Sequence, residues 1–364
     1  MKLSRMKRLS AAKFSFCSAA LVLALLTTGC KAAPPAAESQ PAATPAAPAV
    51  QPVAAVADPA PLPGDSSASS SPIQPEPGLE HVSGAEIMKL TQQYLAVAPK
   101  RYIGSPGHAA AEKFIRDHFA PEAAHGNFVD DTFTANTPVG PLTMHNLLVK
   151  FPSSTPVKKD GIIVLASHYE TNYWLKDINF VGANDGACTS ALLIALGEYF
   201  RAHPPQGYSI WLLFTDGEES IGKDWTASDS LYGTRHIAAK WSGDGTLQHI
   251  KAFVLADMIG WSQMKIDREG NSTPWLEDLL ARAAKDTGHS KYIATTGLPI
   301  DDDHLPFKQR GVPVLDVIDY EYGTPTDPEA YHHTDKDTFD KLSTTSLQAD
   351  ADIFLDLIKL IDQR

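Results

Sequence analysis

The side chains best suited to chemistry in this sequence are carboxylates and imidazoles that follow apolar runs. Glu218 and Glu219 are adjacent in FTDGEES, directly after the apolar run 210–213. Neighbouring carboxylates repel each other away from water, so a folded chain keeps both only where something offsets the repulsion, and a divalent cation would do so. The other candidates of the same chemical types are His168 in SHYE, Asp185 in GANDGA, Asp257 in LADMIG and His333 in YHHTD.

Together these side chains indicate a zinc site. Carboxylate and imidazole groups suit zinc, and a catalytic zinc has three protein ligands and one open position. Each residue alone also has an ordinary explanation: His168 as a hydrogen-bonded buried histidine, Asp185 as a helix cap, and Glu218 with Glu219 as a solvated turn. Asp257 is harder to explain in that way, because it follows the apolar run FVLA. Their joint occurrence at strand ends and in loops favours the metal site.

Alternating strand and helix patterns supply the elements that would position these residues. The predicted strands are 147–151, 161–168, 209–216, 251–257 and 312–318, and the predicted helices are 83–97, 107–119, 185–200, 230–241, 274–287 and 345–361. Apolar strands between helices predict an α/β fold, a three-layer α/β/α sandwich with a mixed, mostly parallel central sheet. His168, the segment 216–219 and Asp257 then lie at the carboxyl ends of strands, where such sheets bind ligands.

The first 77 residues differ in composition and are expected to precede the folded domain. Basic residues, an apolar run and the sequence Thr27-Thr28-Gly29-Cys30 predict a signal peptide at 1–29. This stretch resembles a bacterial lipoprotein signal that would be lipidated on Cys30, although Thr27 stands where leucine is usual; an ordinary cleaved signal is the alternative. Residues 30–77, rich in Ala and Pro, predict a disordered tether before a zinc-dependent catalytic domain at 78–364. We expect an exported, membrane-anchored lipoprotein that faces the periplasm or the cell exterior.

Charge limits the expected binding partners, and the positions of the cysteines limit the expected disulfides. The formal net charge of -12 argues against a nucleic-acid partner and suits a cationic one, such as the amino terminus of a peptide. Of three cysteines, Cys17 and Cys30 fall within or directly after the predicted signal, so Cys188 has no partner for an internal disulfide. We expect a monomer that contacts a membrane only through the lipid anchor.

The order His, Asp, Glu-Glu, Asp, His resembles that of the zinc-dependent aminopeptidases, which carry these residues across an α/β sandwich. Longer stretches narrow the resemblance, namely FVGANDGA, FTDGEES, DSLYGTRHIA at 229–238, DDHLPFKQRGVPVL at 302–315 and HHTDKD at 332–337. They are similar to the animal-type glutaminyl cyclases, the glutaminyl-peptide cyclotransferases, which share the zinc exopeptidase-like fold. The resemblance covers residues 80–363.

This resemblance implies an enzyme that converts the amino-terminal Gln of a peptide or protein to pyroglutamate and releases ammonia. One zinc per chain, bound by Asp185, Glu219 and His333, would polarise the side-chain amide. Glu218 would act as general base and acid, moving a proton from the α-amine to the departing ammonia.

The resemblance also assigns residues around the zinc ligands. Asp257 and Asp302 correspond to two catalytic aspartates that hydrogen-bond each other near the metal. Trp225 corresponds to a tryptophan of the substrate pocket, although the spacing from the glutamates is one residue longer here. Two pocket positions differ from the animal enzymes, because Asp316 stands in place of a histidine and His332 in place of a tryptophan. An extra carboxylate would strengthen binding of the amine, and loss of an indole would weaken apolar contact.

The alternative function is that of an aminopeptidase built from nearly the same groups. His168 and Asp257 would then join Asp185 in binding a second zinc, and Glu218 would activate water for hydrolysis. Asp302 favours the cyclase, because aminopeptidases of this group usually have a small residue at that position. A non-catalytic lipoprotein is disfavoured since every expected ligand and the base are present, and no G-x-S-x-G motif indicates a serine hydrolase.

Overall fold

The computed structural model describes residues 81–158 and 160–364. The predicted signal peptide 1–29, the tether 30–77 and the lipidation site Cys30 lie outside the described residues, so these remain predictions. Within the described part of the chain, no helix is both long enough and apolar enough to cross a membrane.

A six-stranded mixed sheet forms the centre of the fold. Its strands are β1 (Phe128–Thr137), β2 (Gly140–Phe151), β3 (Ile162–His168), β4 (Ser209–Thr215), β5 (Ile250–Asp257) and β6 (Val314–Ile318). Their order across the sheet is β1-β2-β4-β3-β5-β6. The pairs β1–β2 and β2–β4 are antiparallel, whereas β4–β3, β3–β5 and β5–β6 are parallel. The prediction of a mixed, mostly parallel sheet is confirmed.

Helices cover both faces of this sheet. They are α1 (Gly84–Val97), α2 (Pro106–His118), α3 (Ala120–Ala124), α4 (Cys188–Ala202), α5 (Tyr232–Asp244), α6 (Pro274–Asp286), α7 (Leu305–Lys308) and α8 (Thr344–Asp362). Leu165 of β3 belongs to an apolar cluster with side chains from α1, α4, α6 and α8. Its neighbour Val164 belongs to a second cluster with Trp241 of α5 and Phe307 of α7. Because successive strand residues point to opposite faces, the apolar strands are buried on both sides, as a three-layer sandwich requires.

Local signals in the sequence define where several helices begin. The Ser83 hydroxyl oxygen accepts a hydrogen bond from the backbone N–H of Glu86 at 3.1 Å and caps α1. Ser105 caps α2 in the same way, and Pro106 follows it at the first helical position. Such caps are readable from the sequence, and the predicted helices at 83–97 and 107–119 agree closely with those observed.

The hairpin formed by β1 and the first half of β2 is not among the predicted elements. Only Asp131 and Ala135 are buried in β1, and the rest of that strand is half-buried or exposed. An edge strand with so few buried apolar residues carries a weak pattern. Its continuous pairing with β2, from Phe128 opposite Val149 to Thr137 opposite Gly140, is what makes it a strand.

Candidate active site

The carboxyl ends of neighbouring parallel strands bring most of the predicted site residues together. β3 ends at His168, which pairs in register with Thr215 at the end of β4. The two glutamates follow β4 directly, and β5 ends at Asp257. His168, Glu218, Glu219 and Asp257 are all buried, with at most 7% of any residue exposed. The site therefore lies at the edge that the sequence predicts.

Asp185 lies in a turn that precedes α4 and not in the helix itself, which corrects the predicted helix start at 185. Its backbone is non-helical (φ -88°, ψ 92°), Gly186 follows with φ 86°, and α4 begins at Cys188. A Cβ atom on Gly186 would lie 2.8 Å from the His168 ring, so glycine supplies both the left-handed conformation and the close approach. No side chain caps α4, so the helix-cap explanation of Asp185 fails.

Two buried residues that the sequence analysis did not single out hold this turn. Asp337 accepts hydrogen bonds from the backbone N–H groups of Asn184 at 2.9 Å and Asp185 at 3.1 Å. Arg101 is fully buried and donates to the carbonyl oxygens of Gly182 at 3.0 Å and Asp185 at 3.4 Å. Asp337 falls within the quoted HHTDKD stretch, but nothing local in either segment indicates its distant partner.

The loop that carries the two glutamates is also fixed by buried partners. The carbonyl of Glu218 accepts a hydrogen bond from the Leu231 N–H at 2.8 Å. The backbone N–H of Glu219 donates to Glu170 Oε1 at 3.1 Å, and the Asn172 side-chain amide donates to Glu219 Oε2. Glu170 and Asn172 lie in the segment after β3, close to His168. The sequence did not indicate their roles, because nothing local in that segment points to the distant partner Glu219. These contacts fix the orientation of the Glu219 carboxylate, as a metal ligand requires.

His333 reaches the site from a loop and adopts a left-handed backbone conformation, with φ 52°. Its Nε2 atom lies 3.4 Å from Asp185 Oδ2 and 3.1 Å from Glu219 Oε1. Non-glycine residues rarely adopt this conformation, and they do so most often at functional sites. Burial disfavours a charged imidazole here, but the negative charges of Glu219 and Asp185 outweigh it and raise the pKa of His333 to about 9.

The separations of His333 Nε2 from Asp185 and from Glu219 are compatible with a zinc site, and the group of metal-binding type around His333 consists of Asp185, His332 and His333. With zinc–ligand bonds of about 2.0–2.2 Å, ligand atoms in a tetrahedral site lie roughly 3.3–3.5 Å apart. The separations of His333 Nε2 from the two carboxylates, 3.4 and 3.1 Å, are close to that value. Asp185 Oδ2 is buried and has no hydrogen-bond partner. A buried carboxylate oxygen without a partner is available to bind a cation. These residues therefore fit the ion that the family resemblance implies.

His168 faces the other oxygen of Asp185. Its Nε2 atom lies 3.1 Å from Asp185 Oδ1 and 3.4 Å from Asp257 Oδ1, and neither contact has hydrogen-bond geometry. The explanation of His168 as a hydrogen-bonded buried histidine is therefore not supported. Burial by itself would lower the pKa of His168. The interactions with the Asp185 and Asp257 carboxylates have the larger effect and raise this pKa well above the ordinary value. This second cluster has the composition of a second metal position that shares Asp185 with the first.

Glu218 lines the cavity beside these ligands but has a different environment from Glu219. Its Oε2 atom lies 4.0 Å from His168 Nδ1. Burial raises the pKa of Glu218 well above its ordinary range, and the charges of Glu219 and Asp302 raise it further. A bound dication would favour the ionised form in turn. A buried carboxyl in this position, with its pKa raised, suits proton transfer.

Asp257 and Asp302 lie near each other but do not form the predicted hydrogen bond. Asp302 Oδ1 accepts a hydrogen bond from the Asp303 N–H, while Asp302 Oδ2 and Asp257 Oδ1 have no partner. Burial, followed by the charge of Asp257, raises the pKa of Asp302 well above its ordinary value. Two nearby carboxyls of this kind favour a state in which only one is ionised. Burial and the charge of Asp257 therefore favour the protonated form of Asp302.

A cavity of about 510 Å³ opens onto the ligand cluster. Trp225, 36% exposed, and His332 both line it, as the resemblance implies for pocket residues. Burial and the charge of His333 lower the pKa of His332 to about 3, so this imidazole is neutral. The other lining residues are Asp185, Glu218, Glu219, Asp257, Met258, Pro299, Ile300, Asp301, Asp302, Ile318, Tyr320, Glu329 and His333.

Asp316 does not line this cavity, in contrast to the prediction. Its side chain is fully buried behind the site, where Oδ2 lies 3.5 Å from His304 Nδ1. On the other side of that ring, Nε2 lies 3.5 Å from Glu269 Oε2. β6 is buried on both faces, and the register of this strand directs Asp316 into the interior. Asp316 cannot contact a substrate amine from this position.

Fold and site define a zinc exopeptidase-like α/β protein. The sequence matches peptidase family M28 over residues 146–358. The chain belongs to that family.

Relatives within this family are glutaminyl cyclases, which confirms the resemblance seen in the sequence. Glutaminyl-peptide cyclotransferase of Boiga irregularis is 30% identical over 285 residues, which cover 67% of this chain and 75% of that protein. The crystal structure of Acidobacteriales bacterium glutaminyl cyclase is 59% identical with a TM-score of 0.75, covering 83% of this chain and 99% of that one. A Zn-dependent exopeptidase from Parabacteroides distasonis, 20% identical with a TM-score of 0.66, covers 78% of this chain and 99% of that one and shows the fold alone.

Proposed function

We propose that this chain is a zinc-dependent glutaminyl-peptide cyclotransferase, which converts amino-terminal Gln of peptides or proteins to pyroglutamate and releases ammonia. The observation that carries this proposal is that Asp185 and Glu219 both lie within 3.4 Å of His333 Nε2 in one cavity, which Glu218 also lines. The 59% identity to a glutaminyl cyclase over most of the chain supports this reaction.

One zinc per chain would be held by Asp185, Glu219 and His333. When bound, zinc acts as a Lewis acid that polarises the side-chain amide carbonyl of the substrate. The partners of these ligands fix their orientation, since Asn172 holds the Glu219 carboxylate and Asp337 holds the turn that carries Asp185. Such outer contacts commonly determine metal affinity.

Glu218 transfers the proton during ring closure. As the substrate α-amine nitrogen bonds to the side-chain amide carbon, Glu218 accepts a proton from that nitrogen. It returns the proton to the amide nitrogen, the carbon–nitrogen bond to that atom breaks, and ammonia leaves. The attack is intramolecular, so the cavity accelerates it by holding the substrate in its ring-forming conformation.

The remaining acidic groups of the cavity bind and orient the substrate. Asp302 faces the cavity, and burial with the charge of Asp257 raises its pKa and favours the protonated form, which can donate a hydrogen bond to the amide oxygen. Glu329 and Asp301 are exposed at the cavity wall and attract the cationic amino terminus of an approaching substrate, which must release one proton to solvent before its neutral nitrogen attacks. Trp225 also lines the cavity and can supply apolar contact to the substrate.

Mass spectrometry of one substrate tests the proposed reaction. The enzyme loaded with zinc is incubated with a peptide that begins with Gln. We expect a product that has lost one ammonia and kept every residue. A product shorter by one residue would overturn the proposal in favour of hydrolysis.

An aminopeptidase is the second candidate, because one specific observation favours it. His168, Asp185 and Asp257 form a second buried cluster of metal-binding type, as a two-zinc hydrolase requires. In that case Glu218 would take a proton from water, and the first peptide bond would be cleaved. The same measurement detects this activity as released amino acid. The Zn-dependent exopeptidase from Parabacteroides distasonis shares only the fold and does not distinguish the two reactions.

We further propose that the enzyme is exported and anchored by a lipid on Cys30. The support is the sequence of the first 77 residues, where a basic, apolar and small-residue pattern precedes that cysteine. The tether at 30–77 would then hold the catalytic domain away from the membrane surface.

A further inference from the structure

A second and larger cavity lies next to the catalytic one. Its volume is about 790 Å³, and it shares Ile300 and Tyr320 with the catalytic cavity. Both volumes fall within the range of about 300–1,000 Å³ that is usual for ligand sites. The two shared residues therefore form the boundary between the site of the reaction and an adjoining groove.

This boundary is held rigidly by its surroundings. The backbone N–H of Ile300 donates to Glu269 Oε1 at 2.9 Å, and its carbonyl accepts from Asn271 Nδ2 at 2.9 Å. The backbone N–H of Tyr320 donates to Asp267 Oδ2 at 3.1 Å. Because the backbone of both residues is hydrogen-bonded, the boundary between the cavities is preorganised.

The groove is acidic. Asp267 and Glu321 line it together with the buried Asp319 (2% exposed), and Lys265 is the one cation among the described lining residues. Lys265 Nζ donates a hydrogen bond to the Lys291 carbonyl, which directs part of its charge away from the groove. Glu321 is exposed to solvent. Burial raises the pKa of Asp319 to about 8, and a cation beside it would favour the ionised form.

Apolar surface is also available in the groove. Leu298, 67% exposed, lines the groove, and the largely buried Trp261 (8% exposed) also forms part of its wall. An open groove with apolar walls and carboxylates suits long basic side chains, whose methylene stems pack on apolar surface while their charged ends meet carboxylates.

We propose that this groove binds the residues that follow the amino-terminal Gln of a peptide, and that it favours lysine and arginine there. The inference rests on the proposed function. A substrate whose first residue occupies the catalytic cavity must leave it at the rim, and an extended chain advances about 3.3–3.6 Å per residue. The third and later residues would then pass Ile300 and Tyr320 and enter the groove. The net charge of -12 adds a favourable field for basic peptides.

Length-matched peptides test this specificity. The zinc-loaded enzyme is assayed with Gln-Ala-Lys-Lys-Ala-amide and Gln-Ala-Glu-Glu-Ala-amide at low ionic strength. We expect kcat/KM for the lysine peptide to exceed that for the glutamate peptide by on the order of tenfold, because the field of the groove steers cations. The ratio should shrink in salt, since the screening length falls from about 30 Å at 0.01 M to about 8 Å at 0.15 M.

A charge-reversing variant tests whether the preference for the lysine peptide arises in the groove. Glu321→Lys should reduce the lysine-to-glutamate ratio at least severalfold. Asp244→Lys makes the same change of net charge at the exposed end of α5, outside both cavities, and should leave the ratio near that of the unaltered enzyme. Equal kcat/KM for the two peptides, or an equal loss in both variants, would overturn the inference.

A short substrate separates this inference from the proposed function. Gln-Ala-amide ends before the groove, so its cyclisation by the unaltered enzyme depends only on the catalytic cavity. If that substrate is not cyclised, the proposed function fails. If it is cyclised and the two longer peptides behave alike, the groove inference fails alone.

Discussion

At the scale of single residues, Glu218 and Glu219 are neighbours in sequence with separate surroundings. Glu219 is held by Asn172 and faces His333, which suits a metal ligand. Glu218 faces the cavity, and its raised pKa comes from burial and from nearby carboxyls. The repulsion between the two is offset if a cation binds one of them, and the other then remains free to exchange a proton.

Replacing Glu218 should remove turnover without removing the metal. In Glu218→Gln the side chain keeps its shape but cannot accept a proton, so we expect kcat to fall by about 10²–10⁴-fold. Zinc content, measured by elemental analysis, should stay at that of the unaltered enzyme. The matched variant Glu219→Gln should instead lose zinc. Turnover by Glu218→Gln near the original rate would refute the proton-transfer role.

At the scale of elements, the turn between β3 and α4 determines where Asp185 points. It depends on the left-handed Gly186 and on the hydrogen bonds from Asn184 and Asp185 to Asp337. A side chain at position 186 would meet the His168 ring at 2.8 Å, so both metal-binding clusters depend on this glycine.

Gly186→Ala should therefore weaken metal binding as well as stability. The left-handed backbone alone costs about 1–2 kcal/mol for alanine, and displacement of His168 and Asp185 should lower zinc affinity by on the order of 10–100-fold. Gly126→Ala is the control, because Gly126 also has a positive φ (73°) but no atom within 4 Å of the added Cβ. Urea unfolding and zinc titration of both variants separate the two effects. Equal zinc affinity in both would contradict the argument.

Helix α8 contains a buried carboxyl that is not among the candidate zinc ligands. Asp350 is fully buried, neither of its oxygens has a hydrogen-bond partner, and burial raises its pKa well above the ordinary value. The folded chain then holds a proton that the unfolded chain releases above about pH 4. The free energy of unfolding therefore falls as pH rises from that point, by about 1.4 kcal/mol per pH unit until the folded pKa is passed.

Asp350→Asn should remove this loss of stability. We expect the melting temperature of the variant to exceed that of the unaltered protein at pH 8 by several degrees, at about 2–4 °C per kcal/mol, with a smaller difference at pH 5. Calorimetry at both pH values measures it. Asp352→Asn, on the same helix but paired with His289 at a partly exposed site, should give no such gain. A gain independent of pH would argue against titration of Asp350.

At the scale of the whole molecule, we expect zinc to stabilise the folded protein as well as to take part in the reaction. The acidic groups at the sheet edge repel one another without a cation, and a ligand that binds only the folded state at about 1,000 times its Kd adds about 4 kcal/mol. Removal of zinc by a chelator should therefore lower Tm by on the order of 10 °C. Elemental analysis of the reloaded enzyme should give one zinc per chain. Two tightly bound zinc ions would favour the aminopeptidase alternative.

The catalytic domain should not need the first 77 residues. Among the described residues, the apolar clusters on both faces of the sheet are formed by side chains from Val82 onward. We expect a chain starting at residue 78 to be soluble and to cyclise Gln-Ala-amide with unchanged kcat. In the full chain, Cys30→Ala should abolish incorporation of a labelled fatty acid. Labelling that persists in this variant would refute the anchor.

Much of the architecture could be predicted because its signals are local. Strands buried on both faces appear as apolar runs, so 209–216 and 251–257 were placed correctly, and the residues that follow them were placed at the correct edge of the sheet. Hydrogen-bonding serines before helices are equally local signals. The edge strand β1 was missed because its stability comes from pairing with β2 and not from its own pattern.

By itself, the sequence determined the types of catalytic group, the alternation of strands and helices, and the family. Residue types and short spacings suffice for these, because the chemistry of a carboxylate and the burial of an apolar run do not depend on distant contacts. Only the tertiary structure decided that Asp337 and Arg101 hold the Asp185 turn and that Asp316 points into the interior. It alone also decided that an acidic groove adjoins the catalytic cavity. These depend on residues far apart in sequence, whose proximity arises only when the sheet and its loops pack together.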